Sequence, residues 1–280
     1  MCERCGHLNG MNEDTNSFCS AVYTDNRGED YAEDYSSGNT YEYKKRMKDI
    51  YFPKATFMRD SLINVGADAD TLKYADIGAG SGYFVAAMRD IGLRDSIGYE
   101  VSAQQVSHGN TMIGSPLLKE FDINNTIEMV DAINVDVVSM IGVLEHLQHP
   151  RKVLSALGRN LTVKYLYISV PLFSMGVFFE MVFPHVMNRQ LSGPHTHLYT
   201  DSSLLYMEKE FDLERISSWW FGTDMMDLYR SVSVSLTQEQ DNTKIESLWQ
   251  DMFAPVMDSL QIVLDKNRLS SEVHILYRLN

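Results

Sequence analysis

Two carboxylates and a run of glycines between residues 76 and 100 offer the clearest chemistry in the sequence. Asp76 is followed by Gly78, Gly80 and Gly82 in the stretch DIGAGSGYF, and Glu100 ends the next apolar run. A glycine-rich turn lets a ligand approach the backbone closely, and a carboxylate about twenty residues later accepts hydrogen bonds from ribose hydroxyls. The pattern therefore predicts a nucleoside-binding site.

The spacing of the glycines separates several kinds of nucleotide site. A triphosphate-binding Walker loop is excluded because no Gly-Lys-Ser/Thr follows the glycines. The dinucleotide fingerprint G-x-G-x-x-G places its third glycine where this chain has Tyr83. Asp76 falls at the end of an apolar strand, where a buried carboxylate needs a hydrogen bond or a cationic group. Together with Glu100, these residues favour a bound nucleoside without the glycine spacing of a dinucleotide site.

The elements that position these residues follow from short apolar runs that alternate with helical stretches after Leu72. This alternation is typical of a parallel sheet with crossover helices. We expect an α/β fold, with a Rossmann-like, doubly wound, seven-stranded sheet that has helices on both faces. The expected strands are 73–77, 96–100, 126–130, 135–142, 163–170, 213–222 and 272–279, the last being a late edge partner.

Charge and composition indicate which partners and which compartment are expected. The formal net charge of −14 disfavours nucleic acid, because a polyanion would be repelled. The three cysteines are an odd number, which fits a reducing compartment. The most apolar stretch, 168–187, contains Pro171, Glu180 and His185, so no membrane span is expected. With no signal-peptide pattern at Met1, the prediction is a cytoplasmic protein.

With these motifs, the sequence resembles the class I S-adenosylmethionine-dependent methyltransferases. Their first motif is similar to YADIGAGSGYF, their acidic strand end is similar to IGYE, and DVVSMIGVLEHLQHP resembles their fourth-strand motif. The resemblance implies S-adenosylmethionine as the cofactor, with Asp76 and the loop backbone on its methionine portion and Glu100 on its ribose. Asp131 is the candidate for the adenine amino group. The full set of implied cofactor contacts is Asp76, Gly78, Ala79, Gly80, Gly82, Glu100, Val101, Asp131, Ile141 and Gly142.

Histidines are the candidates for a catalytic base. A sulfonium methyl group is already activated, so its transfer requires alignment and, for a hydroxyl acceptor, a base with a near-neutral pKa. His195 and His197 alternate about Thr196, so in an extended segment they share a face. His146 follows the fourth strand and has a structural role as its alternative. The base remains open among these three histidines.

The segments SGPHTHLYTDSSL and WWFGTDMMDLYRS are similar to segments of methyltransferases from sugar and surface-polysaccharide biosynthesis. That resemblance implies a substrate-side insertion over 172–200, with Trp219 and Trp220 against a sugar ring and Asp224 on its hydroxyls. The predicted reaction is methyl transfer to a hydroxyl of a sugar, nucleotide sugar or glycan precursor. The alternatives are a methyltransferase for a quinone, lipid or natural product, an NAD-dependent oxidoreductase, and a non-catalytic cofactor-binding subunit.

The N-terminal residues 1–43 predict an irregular arm, followed by a methyltransferase domain over 44–280. The arm begins with MCERCGH, a C-x-x-C knuckle that needs a second ligand pair to hold zinc. Only His7 and Cys19 are available, at a spacing that does not match a second pair. Some sugar methyltransferases carry a complete zinc module of this kind, and the arm looks like that module without its first half. No metal site is predicted.

Overall fold

The computed structural model describes residues 1–9, 39–186, 190, 197–239 and 243–280. Strands and helices alternate through most of this range. The strands are β1 (Leu8–Asn9), β2 (Tyr74–Ile77), β3 (Ser96–Glu100), β4 (Leu118–Glu120), β5 (Val137–Ile141), β6 (Tyr165–Pro171), β7 (His197–Leu198), β8 (Leu213–Phe221) and β9 (Glu272–Leu279).

The helices lie before, between and after these strands. They are α1 (Thr40–Arg46), α2 (Phe52–Asn64), α3 (Tyr83–Asp90), α4 (Ala103–Ile113), α5 (Thr126–Ala132), α6 (Pro150–Arg159), α7 (Met175–Val182), α8 (Asp201–Glu210), α9 (Asp224–Glu239) and α10 (Thr243–Lys266). A π-helical turn, Met47–Tyr51, joins α1 directly to α2.

Seven strands form one sheet in the order β4-β3-β2-β5-β6-β9-β8. The pairs among β4, β3, β2, β5 and β6 are parallel. Strand β9 is antiparallel to β6, because Leu279 N–H donates to the Lys164 carbonyl at one end and Leu172 N–H donates to the Ser271 carbonyl at the other. The chain order reverses between β2 and β5, which creates the switch point where such sheets bind ligands. The predicted fold class is confirmed.

The apolar core fixes the two elements on either side of the glycine loop, strand β2 and helix α3. Every residue of β2 is buried, as expected for a central parallel strand covered on both faces. Phe84 and Met88 of α3 pack in one apolar cluster with Met58 and Leu62 of α2. The helix that follows the loop is therefore fixed by its apolar face.

Two predicted strands differ from the structure. Residues 126–130 belong to helix α5, and the strand at this place in the sheet is β4, which has only three residues. A three-residue strand shows no periodicity, whereas Ile127, Met129 and Val130 form a short apolar run that fits either element. The final strand, β9, lies between β6 and β8, so it is not an edge strand.

The chain divides into two compact units. One comprises the described residues within 13–169, 207–217 and 275–280, and it contains the glycine loop. The other comprises the described residues within 1–12, 170–206 and 218–274. The N-terminal knuckle belongs to this second unit, and the rest of the predicted arm up to residue 38 lies outside the described residues. In the described part of the chain, no helix has the length and apolarity needed to span a bilayer.

Candidate active site

The glycine loop connects β2 to α3 at the carboxyl end of β2. Gly78 and Gly80 have φ angles of 73° and 53°, a region that residues with a side chain rarely adopt. A Cβ atom on Gly78 would lie 2.6 Å from Val143 Cγ2, and one on Gly80 would lie 2.9 Å from Gln105 Oε1. The backbone conformation therefore favours glycine at both positions, and at Gly78 the contact with Val143 also leaves no room for a side chain.

The backbone N–H groups of this loop are used within the protein. Gly78 and Ala79 both donate to the Tyr99 carbonyl, at 2.8 and 3.0 Å, and Gly82 donates to the Ala79 carbonyl at 2.9 Å. Gly80 donates to the Glu100 carboxylate at 2.7 Å. A phosphate-binding loop directs such N–H groups at its ligand. This loop instead turns four donors inward.

Glu100 lies where the sequence predicts it, at the end of β3 beside the loop. Its side chain is buried, with Oε2 bonded to Gly80 N–H and Oε1 accepting from Val101 N–H at 2.8 Å and Ser102 N–H at 3.0 Å. An ionised carboxylate accepts about four hydrogen bonds, so the described bonds leave one position on Oε2. Burial raises the pKa of Glu100, and the three backbone donors oppose that effect. The remaining position suits one ribose hydroxyl.

Asp76 is buried at the end of β2, and its Oδ1 accepts a hydrogen bond of 2.6 Å from the Ser139 hydroxyl on β5. Burial raises its pKa to about 7, the Ser139 bond acts in the opposite direction, and the Glu100 charge adds to the rise. A carboxylate with so high a pKa is stabilised in its ionised form by a nearby cation. Asp76 thus suits a ligand with an ammonium group.

The segment after β5 lies over the glycine loop. Ile141 is the last residue of β5, and Gly142 N–H donates to the Ser169 carbonyl at 3.1 Å. The next residue, Val143, packs on Gly78. His146 is half-buried at the end of the short 3₁₀ turn that follows, in the same unit as the loop.

Asp131 does not belong to this site. It lies near the end of α5, with an exposed side chain 3.0 Å from the Arg159 guanidinium. Arg159 ends α6, and both helices lead into the starts of β5 and β6, the sheet edge opposite the loop. The prediction is wrong because the apolar run at 126–130 forms a helix and not the third strand of the sheet.

Asp122 is a carboxylate at the same sheet edge as Glu100 that the sequence analysis did not single out. It lies two residues beyond β4, whose last residue, Glu120, pairs in register with Glu100. Its Oδ1 accepts from Asn124 N–H and the Asn124 amide, both at 2.9 Å. The signal was the pair Phe121-Asp122 directly after a short strand, at the same sheet edge as Glu100.

His197 has an unexpected partner in the N-terminal knuckle. Strand β1 pairs antiparallel with β7, and His7 Nε2 lies 3.0 Å from His197 Nδ1. The His7 ring also meets the edge of Tyr199, with centroids 4.9 Å apart. Burial, followed by repulsion from His197, lowers the pKa of His7 to about 4, so His7 is neutral at physiological pH. His195 lies outside the described residues.

The two predicted tryptophan contacts have different environments. Trp219 is half-buried and stacks on His274, with centroids 5.2 Å apart. Trp220 is buried, and the Arg268 guanidinium lies 4.4 Å from its ring centre. Of the two, Trp219 therefore has the more accessible ring.

Asp224 does not fit the predicted role of a sugar contact, because it has no accessible surface. Its Oδ1 accepts from the Ser174 hydroxyl and from Gly176 N–H, the latter at 3.2 Å, and Oδ2 accepts from Ser271 N–H at 2.8 Å. These bonds join the starts of α7, α9 and β9. Asp224 is therefore a structural carboxylate.

Among the described residues, no group of three or more His, Cys, Asp or Glu side chains has metal-binding geometry. Cys19, which the sequence offers as a further ligand for the knuckle, lies outside the described residues.

Comparisons with known proteins give one family, from a family model, and one fold, from solved structures. The family model described as a methyltransferase domain matches residues 46–218. The structure of magnesium protoporphyrin IX methyltransferase from Synechocystis PCC 6803 with bound S-adenosylhomocysteine superposes with a TM-score of 0.58 at 11% identity, covering 95% of this chain and 100% of that one. A putative sarcosine dimethylglycine methyltransferase from Galdieria sulphuraria gives 0.53 at 14% identity, covering 81% and 86%. No curated protein matches the sequence significantly.

Proposed function

The chain belongs to the methyltransferase domain family, whose model covers more than half of it, and we propose that its acceptor is a hydroxyl of a sugar, nucleotide sugar or glycan precursor. The family establishes that the protein is an enzyme and that S-adenosylmethionine is its cofactor. The proposal concerns the acceptor and the residues that act on it.

The observation that carries the assignment of cofactor contacts is the combination of inward-directed loop donors with two buried carboxylates. Gly80 donates to Glu100, and Asp76 sits on the neighbouring strand with a pKa of about 7. These groups fit a ligand with an ammonium group and ribose hydroxyls, and they would repel phosphates. S-adenosylmethionine, when bound, supplies an electrophilic methyl group on a sulfonium. We assign Asp76 to its ammonium, Glu100 to its ribose and Asp122 to its adenine amino group.

His197 is the proposed base. In the tautomer with a proton on its Nδ1, His197 donates to the Nε2 of neutral His7, 3.0 Å away. Its own Nε2 then carries the basic lone pair of the ring, which can take the acceptor's hydroxyl proton. His146 is the second candidate, because it lies in the same unit as the cofactor residues. His195 remains a sequence prediction.

The support for a sugar acceptor is the resemblance of the segment around His197 together with the half-buried Trp219, whose ring can stack on a sugar face. A specific observation favours a second candidate, an apolar acceptor such as a quinone or lipid. Helix α7 exposes Phe178, Met181 and Val182, by 54%, 68% and 69%. Exposed apolar side chains in one helix commonly mark a site for an apolar partner.

The test is a methyl-transfer screen with labelled S-adenosylmethionine. The acceptor panel contains nucleotide sugars, short-chain quinones and lipid alcohols, and a His197→Gln variant is assayed alongside the wild type. The proposal predicts label in a nucleotide sugar, lost in the variant. Label only in a quinone or lipid would replace the sugar proposal with the second candidate, and label that persists in the variant would remove His197 as the base.

A further inference from the structure

Three residues from the helical segment that precedes β2 contact Tyr83, the residue that follows the glycine loop. Tyr43 and Tyr51 stack on Tyr83, with centroids 4.4 and 5.3 Å apart, and the Arg46 guanidinium carbon lies 5.3 Å from the centre of the same ring. We call Tyr43, Arg46 and Tyr51 the N-terminal clasp. All of its members and the loop belong to one compact unit.

The clasp is bonded to the loop itself. The Tyr43 hydroxyl donates a hydrogen bond of 3.0 Å to the Ser81 carbonyl, and both Tyr43 and Tyr83 are buried. Burial raises the pKa of Tyr43, a direction that keeps its hydroxyl protonated as a donor. The clasp therefore fixes the backbone between Gly80 and Gly82.

The backbone of the clasp has an unusual turn. Tyr43 and Tyr51 are eight residues apart, and in a continuous α-helix such residues lie about 12 Å apart along the axis and point roughly 80° apart. The π-helical turn Met47–Tyr51, which ends at the second of these tyrosines, alters this phase. Both rings then meet Tyr83. Single π turns inside helices occur frequently at functional sites.

The methionine portion of the cofactor carries an α-carboxylate, and the assignment above gives this group no partner. Asp76 suits the ammonium, whereas the α-carboxylate requires hydrogen-bond donors or a cation. The N–H groups of Gly78 and Ala79 donate to the Tyr99 carbonyl, and that of Gly80 donates to Glu100. These three N–H groups are used within the protein, and a nearby side-chain cation would supply both the donors and the charge that the α-carboxylate needs.

We propose that Arg46 binds the α-carboxylate of the methionine portion of S-adenosylmethionine, held in place by its position on the ring of Tyr83. A guanidinium presents a planar fork of donors that matches a carboxylate, and it stacks on aromatic rings while doing so. The clasp then makes the site specific for an adenosine that carries a complete amino acid. This inference rests on the cofactor assignment.

The test compares two ligands that differ only in this carboxylate. S-adenosylhomocysteine and its decarboxylated analogue, S-adenosyl-3-thiopropylamine, are titrated by calorimetry into the wild type, Arg46→Ala and Lys45→Ala. Lys45 is an exposed cation on the same helix and serves as the matched control. Hydrogen bonds to charged groups contribute about 1.5–3 kcal/mol, which corresponds to a loss of about 10- to 100-fold in affinity.

Arg46→Ala should weaken binding of S-adenosylhomocysteine by about 10- to 100-fold. Binding of the decarboxylated analogue should stay within about two-fold of the wild type. Lys45→Ala should change neither. Tyr43→Phe, which removes only the bond to Ser81, should weaken both ligands alike because it acts on the loop.

Equal losses for both ligands in Arg46→Ala would overturn the proposal and reduce Arg46 to a structural role. Unchanged binding of S-adenosylhomocysteine in that variant would also overturn it. If the wild type binds neither ligand, the cofactor assignment fails and the proposal fails with it. If the wild type binds both and the variant does not discriminate, the proposal alone fails.

Discussion

The backbone N–H of Gly80 donates a hydrogen bond of 2.7 Å to the carboxylate of Glu100. The middle glycine of the loop is thereby held by the side chain at the end of the adjacent strand. The same carboxylate also accepts from Val101 and Ser102 N–H. The position of the loop and the proposed ribose contact thus depend on one buried group.

Replacing Glu100 by Gln should affect both stability and cofactor binding. A Gln amide has one oxygen, so at least one of the three backbone N–H groups would face another donor, at a cost of about 1–3 kcal/mol. We expect that loss in urea unfolding, with binding of S-adenosylhomocysteine at least about ten-fold weaker by calorimetry. The control is Glu120→Gln, an exposed residue that pairs in register with Glu100. Equal behaviour of the two variants would contradict the assignment.

Asp76 should make stability and binding respond to pH in opposite directions. Its pKa is raised from 3.8 to about 7 in the folded protein, so the native state binds a proton between these values that the unfolded state releases. The contribution to stability is complete below pH 3.8 and is lost as the pH rises towards 7. Cofactor affinity should instead rise between about pH 6 and pH 8, because ionised Asp76 attracts the ammonium.

Asp76→Asn tests this linkage by comparison with the wild type. The variant should be at least as stable as the wild type at about pH 8, since it removes a buried charge, and it should bind S-adenosylhomocysteine at least about ten-fold more weakly. Thermal unfolding and calorimetry across this pH range measure both effects. A variant that keeps the wild-type rise in affinity would show that another group titrates.

Gly78→Ala should lower the free energy of unfolding by more than an alanine at Gly66, another glycine with a positive φ angle. Gly66 has a φ of 80° with nothing within 4 Å of the position a Cβ would take, so Gly66→Ala measures backbone strain alone. At Gly78 the methyl group also meets Val143 at 2.6 Å, and overpacking typically costs a further 1–3 kcal/mol or so. Urea unfolding should show that difference, and Val143→Ala should recover part of it. An equal loss of unfolding free energy in the two variants would mean that Val143 moves aside without cost.

The His7–His197 pair predicts a kinetic effect at the proposed base. His197→Gln should lower kcat by about 10²–10⁴ while leaving binding of S-adenosylhomocysteine unchanged. His7→Gln should mainly shift the pH profile of kcat, because it changes the partner of His197 Nδ1. His195→Ala and His146→Ala are measured in parallel. Full turnover in His197→Gln would transfer the role to one of these.

Local patterns predicted where the residues of the proposed cofactor site lie in the fold. Asp76, the glycines and Glu100 lie within twenty-five residues, and their positions follow from one strand–loop–helix–strand unit. The prediction for Asp131 is wrong because β4 is too short to leave a pattern, whereas the apolar run in α5 resembles a strand. Periodicity cannot identify a three-residue strand.

Long-range contacts account for the other differences. His7 and His197 are 190 residues apart, and only the pairing of β1 with β7 brings them together. The buried bonds of Asp224 likewise join three elements that are distant in sequence. Spacing within one segment carries no information about such contacts.

Calorimetry with S-adenosylhomocysteine and with NAD, on the wild type and on Asp76→Asn, tests the central claim most directly. The account predicts saturable binding of one S-adenosylhomocysteine per chain, weakened in the variant, and no binding of NAD. Submicromolar binding of NAD without a response to S-adenosylhomocysteine would contradict it.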